Sequence, residues 1–363
     1  MEKILRRNTR PVKIGTVTIG GDHPVAIQSM TNTRIVSLTE TENQIKELVE
    51  TGCELVRLAV PDRESVGAFE KLAARSAVPL IADIHFDVEL AHMVLDSGAS
   101  KIRINPGNIG GPKKLESLAE HAGRLNIPIR IGVNSGSLEK NLLKKYGGAT
   151  SDALVESALG YLQVLESCGF FNTVISLKAS DVYTTIRACR LFAGQNDYPL
   201  HIGITEAGPS YTGLIKGSIG VGALLADGIG DTVRISLTAP PAEEVRAAQQ
   251  ILQALGLRHF RPDIISCPTC GRCSIDLLSL VNEVELMLRD YRLTLKVAVM
   301  GCMVNGPGEA READIGISAG KKHGIVFRHG QVIRTVDLPD LLPSLKEELD
   351  LEERYHRNNG QEE

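Results

Sequence analysis

The stretch CPTCGRC sets three thiols, Cys267, Cys270 and Cys273, within seven residues, and a fourth, Cys302, follows in GCMVNGPGEA. Cys-x-x-Cys spacing with a distant further Cys is a metal-binding pattern in a chain kept in a reducing compartment. A thioredoxin-like redox pair would not need Cys302. Four thiolates, Cys267, Cys270, Cys273 and Cys302, would suit structural zinc, and an iron–sulfur cluster fits equally by count. Spacing does not choose between the two. The neighbourhood of Cys302 weighs toward the cluster, because Glu309 stands seven positions beyond it. A carboxylate is a harder, more exchangeable ligand than a thiolate, useful where a position must open for substrate.

A second set of reactive groups is carried by strand-like segments. Side chains alternate across a strand. In ELVRLAV, KIRIN, PIRIGVN, TVISLKAS and TVRISL, one parity is apolar. The other carries Arg57, Arg103 with Asn105, Arg130 with Asn134, Lys178 with Ser176, and Arg234 with Ser236. LIADIHF adds Asp83 and His85 on that same side. His85 alone would read as structural; sharing a face with Asp83 gives it weight. Buried cations without partners are prohibitively costly. Internal salt bridges are the plain explanation, but Asp83 and Glu206 are the only obvious acids on this side. The favoured reading is an anionic ligand, with arginines and a lysine suited to phosphate oxygens. INPGNIGGP offers backbone N–H groups nearby, although such a segment alone is usually a turn.

These groups need a scaffold. Strands VAIQSM, ELVRLAV, PLIADIHF, SKIRINPG, PIRIGVN, TVISLKAS, PLHIGITEAG and DTVRISL alternate with helical patterns such as SDALVESALGYLQVLESCG. Eight such units predict an α/β protein whose residues 1–258 form a (β/α)8 barrel of TIM type. A doubly wound sheet rarely runs through so many regular units. Barrel enzymes keep their sites at the C-terminal strand ends, where these cations lie. Gly52, Gly98 and Gly169 are expected to end helices. VKIGTVTIGGDHPV reads as a hairpin before the first barrel strand. Residues 259–363 change character and read as a small α+β domain carrying the clustered thiols. The singletons Cys53, Cys168 and Cys189 are expected to be buried.

A formal net charge of -4 gives no general attraction for nucleic acid or anionic membrane, and the absence of Trp argues against a base-stacking surface. Neither a signal peptide nor a membrane span is read, so a cytoplasmic location is expected. No G-x-G-x-x-G follows a strand, so no nucleotide site is read.

QSMTNT, IADIHF, RINPGNIG, PIRIGVNSGSLEK, VISLKASDV, GITEAG, GIGDTVRISL, SCPTCGR and GCMVNGPGEA carry a resemblance over nearly the whole chain. The chain resembles the 4-hydroxy-3-methylbut-2-enyl diphosphate synthase family of the non-mevalonate isoprenoid pathway, in its bacterial two-domain form. The large middle insertion of plant members is absent. The resemblance implies a [4Fe-4S] cluster on Cys267, Cys270 and Cys302, with Glu309 as oxygen-donating fourth ligand. The family motif does not require Cys273. It implies reductive ring opening and dehydration of 2-C-methyl-D-erythritol 2,4-cyclodiphosphate, with electrons from flavodoxin or ferredoxin. Substrate contacts carried over by motif are Arg57, Asp83, His85, Arg103, Asn105, Arg130, Asn134, Lys178, Thr205, Glu206, Arg234 and Ser236, with Asn305 beside the cluster. Glu206 leads as general acid and His85 follows. The short connection GLRHFRPD, like the resemblance, implies a head-to-tail homodimer in which each cluster domain caps its partner's barrel. Two other classes stay open: a zinc-stapled barrel acting on a phosphorylated sugar without redox chemistry, and an electron-carrier module on a barrel scaffold.

Overall fold

The computed structural model describes residues 3–85, 87–108, 110–273, 275–302 and 312–358. The chain divides into two compact units, Met1–Arg258 and His259–Glu363.

The first unit opens with an antiparallel hairpin, β1 (Val12–Ile14) and β2 (Val17–Ile19), where one was expected. A parallel sheet follows: β3 (Ala26–Met30), β4 (Leu55–Ala59), β5 (Leu80–Ile84), β6 (Lys101–Ile104), β7 (Ile129–Asn134), β8 (Thr173–Lys178), β9 (His201–Ile202) and β10 (Thr232–Val233). The strand order is β8-β7-β6-β5-β4-β3-β10-β9, and a parallel bridge from Ile175 to Leu200 draws the two ends together. Between the strands run α1 (Leu38–Glu50), α2 (Arg63–Ala73), α3 (Val88–Asp96), α4 (Pro112–Leu125), α5 (Lys140–Tyr146), α6 (Ser151–Ser167), α7 (Val182–Ala193) and α8 (Ser210–Ala226), and α9 (Pro241–Ala254) closes the set. This is the expected (β/α)8 architecture. Gly52, Gly98 and Gly169 leave α1, α3 and α6 with φ of 100°, 85° and 71°, a conformation that stops a helix cheaply only at glycine.

The strand registers sort the inward side chains into layers contributed by alternate strands. Leu55, Lys101, Val174 and Thr232 make the lowest. Above them lie Gln28, Ile81, Arg130 and His201, then Arg57, Arg103, Ser176 and Arg234. The floor is apolar, because Val12, Ile14 and Ile19 of the hairpin pack on Ala26, Leu55, Ile81 and Val174. Water is thereby excluded from below, and the polar interior opens only toward the C-terminal strand ends.

Three details depart from expectation. The strands read in PLHIGITEAG and DTVRISL shrink to β9 and β10, so Thr205, Glu206, Arg234 and Ser236 lie beyond regular strand. Glu206 has a φ of 53°, which turns the chain out of extended conformation. Cys53 and Cys189 are buried as expected, but Cys168 is exposed. It is the C-cap of α6, where its thiol meets the Val164 carbonyl at 3.2 Å and Ser167 Oγ at 4.0 Å and leaves the core side of the helix.

The second unit is a mixed sheet of β11 (Asp263–Ser266), β12 (Lys296–Met300), β13 (Ile315–Ala319), β14 (His323–Arg328) and β15 (Gln331–Asp337), in that spatial order. β11, β12 and β13 are parallel, and the last two pairings are antiparallel. Two helices, α10 (Leu277–Leu288) and α11 (Leu338–Asn358), bury Leu277, Val284, Leu288, Leu341, Leu345 and Leu349 against Val297, Val299, Ile315 and Ile317. On the other face Ala298, Met300, Ala313, Ile325 and Phe327 form a smaller core. An α+β unit was expected, without β11, which the apolar pattern of DIIS is too short to announce.

Candidate active site

The barrel interior holds the expected cations at the expected parity. Arg57, Arg103, Arg130 and Lys178 are buried, and Arg234 is nearly so. Register sets Arg103 beside both Asp83 and Arg130, and Asn134 beside Lys178. Arg103 Nη1 donates to Asp83 Oδ1 at 3.0 Å, and Arg57 Nε stands 3.7 Å from Asp83 Oδ2. Burial alone would raise the Asp83 carboxyl, but Arg57, His85 and Arg103 together hold it well below the usual carboxylate range. Asp83 is thus a fixed anion that aligns two guanidinium groups.

Arg103 Nη1 also reaches His85 Nε2 at 3.0 Å. His85 Nε2 also stands 3.5 Å from Asp83 Oδ2, so imidazole, guanidinium and carboxylate form one polar cluster. His85 is exposed at the mouth, as is Glu206. Both proposed acids therefore stand at the rim, where a proton can be renewed from solvent. Asn105 is buried and donates to Ser137 Oγ at 2.5 Å, whereas Thr205, Asn134 and Ser236 are half-buried.

Arg130 is 1% exposed, and its Nε and Nη1 have no hydrogen-bond partner among the described residues. Burial, then Arg57 and Arg103, push its guanidinium down, with Asp83 opposing. The Lys178 amine is pushed down by burial, then by Arg130, Arg57, Arg234 and Arg103. Burial lowers Arg57 to about 10 against the pull of Asp83, which leaves it charged near neutrality. Such crowding of like charge is costly unless an anion occupies the centre.

Three groups escaped the sequence reading. Glu244 of α9, 3% exposed, takes Arg234 in a bidentate pair at 3.1 and 3.2 Å and also accepts from Ser29 Oγ and the Leu237 amide. Nothing in PPAEEVRAAQQ marks it, since acids opening a helix are ordinarily solvated. Lys101 shares the parity of Arg103 and Asn105, and that signal was legible in KIRIN. Gly132 shares the parity of Arg130 and Asn134; a Cβ there would lie 2.8 Å from Arg103 Nε, so its bareness gives that side chain its berth.

In the second unit, the parallel pairing of β11 with β12 brings the ends holding Cys267 and Cys302 to one edge of the sheet. The Gly301 amide donates to Cys267 Sγ at 3.3 Å. Cys270 is exposed and its thiol is lowered, first by the Arg272 amide. A lowered thiol favours thiolate, the form that binds metal. Cys273 Sγ donates to the Ile275 carbonyl at 3.4 Å, and Cys267 and Cys273 both pack against the helix-covered core. Among the described residues no three His, Cys, Asp or Glu side chains converge at metal-binding range. Asn305 and Glu309 lie outside the described residues. The donor chemistry of Cys267, Cys270 and Cys302 fits a thiolate-held cluster.

Fold and interior together define a (β/α)8-barrel protein with a cation-lined well, followed in sequence by a thiol-bearing α+β unit. Residues 9–249 match the GcpE TIM-barrel domain and residues 263–351 the GcpE protein C-terminal domain. The chain belongs to the GcpE family. It is 54% identical to a 4-hydroxy-3-methylbut-2-en-1-yl diphosphate synthase (flavodoxin) of Natranaerobius thermophilus, over 95% of this chain and 97% of that protein. A protein of the same name from Geobacillus thermodenitrificans is 49% identical over 100% of this chain and 97% of its own. The one from Exiguobacterium sp. is 50% identical over 96% and 94%. A crystal structure of dihydropteroate synthase from Stenotrophomonas maltophilia aligns with 67% of this chain and 98% of its own, at a TM-score of 0.50 and 14% identity, a likeness of fold alone. Among the described residues no helix is long and apolar enough to cross a membrane.

Proposed function

We propose that this chain is an iron–sulfur oxidoreductase of the non-mevalonate isoprenoid pathway. It opens the ring of 2-C-methyl-D-erythritol 2,4-cyclodiphosphate reductively, with loss of water, to give 4-hydroxy-3-methylbut-2-enyl diphosphate. Relatives of that name at about half identity support the reading. The structural observation that carries it is Arg130, a buried guanidinium with unpaired N–H groups amid further cations. A diphosphate supplies the missing acceptors.

The work of the barrel residues follows from their placement. Arg57, Arg103, Arg130, Lys178 and Arg234 hold the diphosphate and stabilise charge that grows as the ring C–O bond breaks. Asp83 and Glu244 fix three of those guanidinium groups before the substrate arrives. Asn105, Asn134, Thr205 and Ser236 contact the rest of the substrate. Glu206, or failing it His85, protonates the departing hydroxyl. Cys267, Cys270 and Cys302, with Glu309 as fourth ligand and Asn305 alongside, would hold a [4Fe-4S] cluster, which when bound supplies electrons singly. Flavodoxin is the donor named for the relatives, and ferredoxin serves the same chemistry.

On this reading residues 1–258 bind substrate and 259–363 carry the cluster. The active species is a head-to-tail homodimer working in the cytoplasm. Anaerobically purified protein should be brown with broad visible absorption and should turn over the cyclic diphosphate only with a reductant. A colourless protein with stoichiometric zinc would mean a zinc-stapled barrel instead. Arg130→Leu should weaken substrate binding by about 1.5–3 kcal/mol, tenfold or more, and leave the visible spectrum unchanged.

A further inference from the structure

Beneath the cations that meet the substrate lies one more. Lys101 belongs to the lowest inward layer, with Leu55, Val174 and Thr232, directly over the hairpin plug. It is 0% exposed, and its Nζ has no hydrogen-bond partner among the described residues. The groups facing it are cationic or neutral: Arg103 two residues along β6, Arg130 on β7, Arg57 on β4 and His201 on β9. His201, itself 0% exposed, bonds Thr232 Oγ1 through Nδ1 at 2.8 Å and leaves Nε2 unpaired. Farther up the well stand Lys178 and Arg234. The acids there are already engaged, Asp83 with Arg57 and Arg103, and Glu244 with Arg234.

A charged ammonium in an apolar floor, under a ring of like charges, is not sustainable. We propose that Lys101 is an uncharged amine in the free protein and takes up a proton when a diphosphate fills the well, so that substrate binding is linked to protonation of the barrel floor. Burial first, then Arg130 and Arg57, depress the amine, in keeping with this geometry. A dianion over Arg57, Arg103 and Arg130, added to the Asp83 carboxylate, cancels the positive field that Lys101 experiences.

The linkage has a chemical use, and here it rests on the function proposed above. In the overall step two electrons and one proton enter, one water leaves, and a C–O bond to the diphosphate breaks. The bound diphosphate passes from two negative charges to three. The electrons come from the flavodoxin-class donor, and the entering proton leaves with the water oxygen. The proton on Lys101 is separate: it forms an N–H bond on binding and stays in the floor as counter-charge for the third negative charge.

The sign is fixed. The amine's pKa is low in the free protein and higher in the complex, so proton uptake occurs between the two values. Affinity is then lost as pH rises through the upper one. The test is calorimetric titration of the full-length, anaerobically purified chain without reductant, from about pH 6 to about pH 10, in buffers of differing ionisation enthalpy. The slope of apparent enthalpy against buffer enthalpy counts protons. The cyclic diphosphate and inorganic pyrophosphate are used as separate probes.

Expected is a slope approaching one proton per site for the natural chain and near zero for Lys101→Met. Lys101→Gln, which keeps a polar chain without a titrating group, should likewise bind without uptake; it also serves should Lys101→Met fail to fold. Binding of either anion to the natural chain without proton uptake overturns the proposal. So does a slope that persists in the variants, since the proton would then sit on Lys178, on His201 or on the anion itself. If only pyrophosphate binds, with uptake dependent on Lys101, the linkage stands and the substrate reading fails. If neither anion binds, both fall.

Discussion

Arg103 shows how a single side chain is positioned for function at little cost to stability. Its guanidinium lies on Asp83 Oδ1 at 3.0 Å and over the bare Cα of Gly132. The atoms nearest a methyl at Gly132 would be the far end of this flexible side chain, with Nε at 2.8 Å. The fold can yield there by swinging Arg103 aside; the substrate well cannot. Gly132→Ala should therefore melt close to the natural chain but bind the cyclic diphosphate about tenfold more weakly, the worth of one charge-assisted contact. Gly316 makes the opposite case. A Cβ there would fall 2.3 Å from the buried Phe327 ring, which has no room to move. Gly316→Ala should lower the melting temperature of the chain, a difference calorimetry resolves. Equal melting of the two variants would refute this division.

At the scale of elements, two devices prepare the chemistry. The β1–β2 hairpin stoppers the barrel, so that ligand and water reach the cations only from the C-terminal ends of the strands. Ile14 is 0% exposed within that plug. Ile14→Ala should cost about 2–5 kcal/mol of stability by leaving a cavity. The second device is the parallel pairing of β11 with β12, which converts a sequence separation of 35 residues between Cys267 and Cys302 into two adjacent strand ends. Cys273 comes from the same loop as Cys270, yet the core and the Ile275 carbonyl engage its thiol. Cys273→Ser should keep the visible spectrum of an iron–sulfur protein and most turnover, whereas Cys302→Ser should lose both. A colourless Cys273→Ser protein would make Cys273 a ligand.

For the molecule as a whole, the proposed homodimer makes a complementation test available. Arg103→Leu disables a barrel and Cys302→Ser a cluster, and each variant should be nearly inactive alone. In a verified heterodimer, one composite site draws both intact halves from different chains. Activity should return to about half that of the natural dimer if the two sites work independently. If verified heterodimers show no recovery, each chain completes its own site and the head-to-tail arrangement is wrong.

The barrel and most of its well could be read from the amino-acid order because their information is local. Alternation along Arg57, Arg103, Arg130 and Lys178 is a property of a few consecutive residues, and a strand's pleat turns it directly into a shared face. The Cys-x-x-Cys spacing is local in the same way. Lys101 was equally legible by parity, but nothing along the chain says how deep a residue lies. Depth depends on the stagger between strands and on the hairpin that closes the floor. That Glu244 reaches Arg234 from the surrounding helix layer, that Cys168 faces outward, and that β9 and β10 stop short were likewise decided only by tertiary structure. Each depends on which distant groups compete for the same space and the same hydrogen bonds, and that competition exists only once the chain has folded.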